Sequence, residues 1–292
     1  MKYNYLYFLL FNLFSIFSFS QEIRPEDRYK KYFLLEDLSK LYKKTEYTLN
    51  SKELYGIDKN IKVYNFFTNY NAIILISALP SLKNNNDWIK ISYKIIKNKI
   101  LTKNEINDFE ISRSLSNPPE MKTMEFGIIK KIGDEYFIPN ECLIEFFNYG
   151  DYEYPFITRY GTINTKEQLF TIKDMIKFYE SKYPQKQFPL DVRNKYGAFV
   201  ENVVVKNYLS KKYKIKNDDA YQLWTFDSWK VYDGYNIQRG IDRFIYIPQK
   251  GIVGGSYDFY FTFVPKKNPP ISAEKEWDNI LNEKVMIAEE LK

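Results

Sequence analysis

Past the first twenty residues, the longest apolar run in the sequence is Ala72 to Leu79, Ala-Ile-Ile-Leu-Ile-Ser-Ala-Leu. A helix needs about 20 apolar residues to cross a bilayer, so a run this short belongs inside protein. Its β-branched side chains predict a strand. The Asn69-Tyr70-Asn71 turn joins it to a second strand at Ile61 to Thr68, and a third is expected at Trp88 to Ile96 after the polar Lys83-Asn84-Asn85-Asn86-Asp87 loop. In that third segment Ile89, Ile91, Tyr93 and Ile95 alternate with Lys90, Ser92 and Lys94, which decides for a strand. A basic amphipathic helix lying on a membrane surface is the alternative reading of the same residues.

The remaining chain reads as helices and hairpins in blocks. Tyr29, Phe33, Leu34, Leu38 and Leu41 recur at helical spacing after Pro25, predicting a helix over 25–44. Thr102 and Glu105 form a capping box for a helix reaching about Arg113. Glu125 to Ile132 and Glu135 to Ile138 read as a hairpin turning at Gly133-Asp134, with further strands at Leu143 to Tyr149 and Phe156 to Tyr160. Helices are expected over 166–183 and 190–212, then strands at Tyr221 to Tyr232, Ile241 to Pro248 and Ser256 to Val264. Ser272 is placed to cap a final amphipathic helix carrying Trp277, Ile280, Leu281, Val285, Ala288 and Leu291. Blocks of this kind, without βαβ alternation, define an α+β class: antiparallel sheets with several amphipathic helices and a C-terminal helix. Ser116-Asn117-Pro118-Pro119-Glu120 breaks the pattern and divides an N-terminal lobe, 21–116, from a C-terminal lobe, 120–292, unless the two form one continuous domain.

The first twenty residues read as a secretory signal peptide. Lys2 gives a positive start, Tyr5 to Phe17 is apolar apart from Asn12 and Ser15, and Ser18-Phe19-Ser20 presents small residues for cleavage before Gln21. The expected product is an exported, soluble protein, periplasmic or extracellular, with no membrane span in its mature chain. Lys and Arg total 43 against 37 Asp and Glu, a net charge of +6. That excess is modest and interspersed with acids, which argues against a nucleic-acid track. Its densest basic run, Lys211 to Lys216, is followed at once by Asp218 and Asp219 and reads as a solvated helix end. With one cysteine, Cys142, no internal disulfide can form, and its apolar neighbours predict a buried thiol.

The chain contains no histidine. Imidazole-dependent serine and cysteine hydrolases are therefore excluded in their standard forms, as are imidazole zinc sites and the usual neutral-pH switch. No metal site and no cofactor are expected. A Ser-x-x-Lys pair at Ser272 and Lys275 has no companion motif, and Gly251 to Ser256 lacks the spacing of a phosphate loop, which makes it a hairpin turn or bulge. What remains is carboxylate chemistry, or an oxygen-ligated Ca²⁺ or Mg²⁺ site for which no acidic series has the EF-hand spacing. The densest meeting of carboxylates, aromatic rings and guanidinium groups runs from Trp224 through Asp227, Trp229, Asp233, Arg239 and Asp242 to Arg243, a candidate sugar- or peptide-binding face. The leading expectation is a non-catalytic binding or envelope-associated interaction protein, with polysaccharide or envelope protein as partner classes. The alternative is a secreted, glycosidase-like hydrolase working through Asp227, Asp233 and Asp242.

Overall fold

The computed structural model describes residues 27–84, 86–115, 126–150, 161–182, 184–185, 206–226, 240–263, 265 and 268–292. Among these residues the chain is mixed α+β, with sheets dominant. Its first elements are β1 (Lys31–Leu34), α1 (Leu35–Leu41), β2 (Lys43–Asn50), α2 (Lys52–Tyr55), β3 (Asn60–Phe67) and β4 (Ala72–Leu79). There follow β5 (Trp88–Ile91), α3 (Tyr93–Ile96), α4 (Lys103–Leu115), β6 (Phe126–Ile132), β7 (Glu135–Pro139), β8 (Glu141–Gly150), β9 (Thr162–Asn164) and α5 (Ile172–Lys182). The last are β10 (Lys206–Ile215), β11 (Asp218–Phe226), β12 (Arg243–Ile247), β13 (Gly251–Gly255), α6 (Asp258–Phe263), α7 (Ala273–Leu281) and β14 (Met286–Ile287), closed by a 3-10 turn at Glu289–Leu291.

The strands form three sheets, in the orders β2-β3-β4-β8-β9, β10-β11-β12-β13-β14 and β1-β6-β7-β5. Pairing is antiparallel except for β1 with β6 and β8 with β9. The sheet containing β4 is central. One of its faces sends Leu49, Val63, Ile73, Leu75 and Phe147 against Leu223, Phe244 and Ile245 of the β10–β14 sheet. Its other face sends Tyr64, Phe66, Ile74, Ile76 and Ile144 against Phe33, Ile128 and Ile138 of the four-stranded sheet and Ile106 of α4. Every residue of β4 is buried as a result, which is why the sequence there is continuously apolar instead of alternating. Each fully buried Ile or Leu contributes roughly 1.5–3 kcal/mol. β1 pairs with β6, β5 with β7 and β4 with β8, so strands from before residue 116 and after residue 120 share sheets.

Local signals hold where local geometry decides. Thr102 and Glu105 make the reciprocal capping contacts: the Glu105 carboxylate accepts from Thr102 N–H at 2.8 Å, and Thr102 Oγ1 accepts from Glu105 N–H at 3.3 Å. The β6–β7 hairpin turns at Gly133-Asp134, and Ser272 Oγ accepts from Lys275 N–H at 3.2 Å at the start of α7. Cys142 is buried, with Tyr29 bonded to its carbonyl.

Several expectations are corrected. The helix over 25–44 shrinks to α1, because Tyr32 is extended and exchanges backbone bonds with Lys99 O (2.8 Å) and Leu101 N–H (2.9 Å) on one side of β1 while β6 pairs with the other. The strand at Trp88 to Ile96 ends at Ile91, because its partner β7 begins at Glu135 and leaves almost nothing further to pair with; residues 93–96 become the helical turn α3. The described part of the helix over 190–212 is strand β10, and the basic run from Lys211 lies on that edge strand and its turn, where Lys216 takes a positive φ of 54°. The described part of the expected strand from Ser256 to Val264, residues 256–263, is not a strand: the ladder closes at Ser256 and α6 starts at Asp258.

The final helix likewise stops at Leu281, and Val285, Ala288 and Leu291 belong to the β14 segment and 3-10 turn. The expected helix over 166–183 starts only at Ile172. The strand at Phe156 to Tyr160 lies outside the described residues. No helix among the described residues is long and apolar enough to cross a membrane.

Candidate functional site

Three of the seven residues that the sequence nominates are described: Trp224, Asp242 and Arg243. Asp227, Trp229, Asp233 and Arg239 lie outside the described residues. The β11–β12 register sets Trp224 directly opposite Arg243, so those two are brought together. Both are buried, as is Asp242.

Trp224 packs inward. Its ring stacks on Tyr208 of β10 (centroids 5.0 Å apart, planes 22° apart) and on Phe170, and its indole N–H donates to Phe170 O at 2.8 Å. Met175 of α5 and Trp277 and Ile280 of α7 complete that cluster. Trp224, the one described aromatic of the nominated set, serves here to seat two helices on the sheet.

Arg243 is 2% exposed and anchors a polar knot. Its guanidinium holds the Asp258 carboxylate bidentately, with Nη2 to Oδ1 at 3.0 Å and Nη1 to Oδ2, and its Nε donates to Lys284 O at 3.0 Å. Asp258 Oδ1 also accepts from the Tyr55 hydroxyl at 2.8 Å, and that hydroxyl oxygen accepts from Tyr257 N–H at 2.7 Å. Asp242 is 5% exposed, and its Oδ2 accepts from Asp258 N–H at 2.7 Å, satisfying a free donor at the start of α6. Ser77 Oγ and Tyr257 Oη lie 2.7 Å apart and link the same region to β4.

The electrostatics fit a closed structural site. Burial alone would pull the Arg243 pKa down, but the adjacent Asp258 carboxylate outweighs it and the net shift is upward. Burial, and then the Asp258 charge, push the Tyr55 phenol well above its ordinary value. Arg243 and Tyr55 therefore keep their protons across the physiological range. Arg243 cancels the charge of Asp258, and Asp242 is committed to a backbone donor, so the knot fastens β12 and α6 to α2.

Sequence reading missed Asp258, Tyr55, Tyr257 and Lys284. Asp258 stood in an expected strand, and Tyr55 is about two hundred positions away in the chain, so no spacing rule joins them. Among the described residues, no group of three or more carboxylate or thiol side chains is placed to hold a metal ion. Gly251 to Ser256 leads into α6, and the anion at that helix start is the protein's own Asp242.

Comparison of the chain with protein-family models, with curated proteins and with solved structures finds no match.

Proposed function

We propose that the chain is an exported, non-catalytic protein that acts by binding at the cell envelope. The observation that carries this reading is the commitment of Asp242 and Arg243. These are the two described members of the nominated set with charge to offer, and both are spent on internal contacts beneath the surface. A general acid or a glycosidic nucleophile has to reach its substrate and change protonation or bonding. Asp242, holding a helix N–H in the interior, is suited to neither. The signal-like first twenty residues supply the compartment, and cleavage before Gln21 gives the acting form.

The test is to purify the exported chain and assay it against polysaccharides, esters and peptides while following its distribution between washed envelope and soluble fractions. The reading expects envelope retention and no turnover. Turnover that disappears in Asp227→Asn or Asp233→Asn would replace it with the carboxylate hydrolase.

A further inference from the structure

The helical turn α3 stands out from the surface by its chemistry. Ile96 is completely buried and pins the turn to the core beneath, whereas Tyr93 and Ile95 are each 49% exposed, among the few large apolar side chains so placed in the described residues. Tyr93 does not swing freely: its ring stacks on Tyr136 of β7, centroids 4.9 Å apart and planes 25° apart. Lys94 and Lys97 are exposed beside them. Nearby lysines are neutralised, Lys90 by Glu135, Lys99 by Asp27 and Lys31 by Glu105. Lys94 and Lys97 have no carboxylate within ion-pair distance among the described residues.

We propose that this turn docks on an anionic lipid surface, with Tyr93 and Ile95 entering the boundary between headgroups and acyl chains while Lys94 and Lys97 pair with the lipid charges. Exposed apolar side chains interleaved with unneutralised cations are complementary to such a surface on both counts. Tyrosine suits the interface because its ring is apolar and its hydroxyl stays wet. The small extent of the turn favours lipid over a protein partner. A stable protein interface covers about 800 Å² per partner, far more than one helical turn presents, whereas a fluid leaflet admits a few exposed side chains without a matching pocket. The inference names a partner for the envelope-binding reading and rests on that reading only for the leaflet met.

The test is cosedimentation of the exported chain with phosphatidylcholine vesicles, with and without phosphatidylglycerol, at low and high salt. The chain is expected to partition onto the anionic vesicles alone and to be released by salt. Lys94→Gln and Lys97→Gln should each weaken partitioning about fivefold, and the Tyr93→Ser, Ile95→Ser double variant should lose it. Lys212→Gln, an exposed change on β10, should leave it intact. All of these side chains are exposed, so the fold is expected to survive and an unchanged thermal melt verifies it. Absence of sedimentation, equal sedimentation with neutral vesicles, or retention only on an acidic polypeptide would each overturn the inference. If the chain ignores vesicles yet stays with washed envelopes, only this inference fails; if it turns over substrate, the binding reading fails whatever the vesicles show.

Discussion

Arg243 and Asp258 face each other in the interior as a bidentate ion pair, and Asp258 simultaneously accepts the hydroxyl of Tyr55. Removing one member of such a pair strands the other charge in a medium that cannot solvate it. Arg243→Met and Asp258→Ala should each destabilise the fold by about 3–5 kcal/mol. The double variant should lose clearly less than the two combined, because neither charge is then left alone. Urea denaturation of the four proteins measures the coupling, and simple additivity would show that the pair does not act as a unit.

Asn65 of β3 stitches the central sheet to its neighbour. Its Nδ2 donates to Ile252 O at 3.0 Å and its Oδ1 accepts from Ile252 N–H at 2.7 Å, so one side chain completes both backbone groups of a residue in β13. Asn65→Leu leaves two buried backbone groups unpaired, at about 1–3 kcal/mol each. Gly251 beside it has φ of 85°, and a Cβ there would lie 2.6 Å from Asn65 Cγ. Gly251→Ala should therefore cost more than about 1 kcal/mol. Urea midpoints unmoved by either change would show that the two sheets are joined elsewhere.

The residues that could be read correctly in advance were those whose partners are close in sequence. Thr102 and Glu105 cap one helix three positions apart, Gly133-Asp134 turns one hairpin, and the continuous burial of β4 is written in its own side chains. β1 could not be read this way. Tyr29, Phe33 and Leu38 keep helical spacing, yet backbone bonds from Lys99, Leu101 and β6 make Tyr32 extended. The same competition turned the described part of an expected helix into β10. For the candidate site, sequence located Asp242 and Arg243 in a polar and aromatic segment, but their burial depends on Asp258, Tyr55 and Lys284, which only the folded topology delivers.

Glu105 gives a pH prediction with a definite sign. Bonds from Thr102 N–H, Lys31 and the Thr102 hydroxyl lower its pKa from 4.5 to about 2. Because the folded value lies below the unfolded one, the stabilisation is complete above roughly pH 4.5 and is lost as pH falls through about 2. An NMR titration should find the depressed midpoint, and Thr102→Ala should raise it while costing α4 about 1 kcal/mol through the lost cap. An ordinary glutamate midpoint in the unsubstituted chain would contradict the capping geometry.

Cys142 is predicted to be inert in the native protein. Burial, and then the nearby Glu141 charge, raise its thiol pKa, so the reactive thiolate is scarce even at mildly alkaline pH. Ellman's reagent should label it only as denaturant unfolds the chain, along the same curve as the loss of tertiary signal. Rapid labelling of the folded protein would place the thiol at the surface instead.

The proposed function requires Asp242 to be a structural anchor that performs no chemistry. Asp242→Asn tests this when stability and activity against a polysaccharide panel are measured on the same samples. Trading the anionic acceptor at the start of α6 for a neutral amide oxygen, which accepts the Asp258 N–H more weakly, should lower the urea midpoint, with no turnover by either protein. An unchanged midpoint together with polysaccharide cleavage present in the unsubstituted chain and absent from the variant would contradict it.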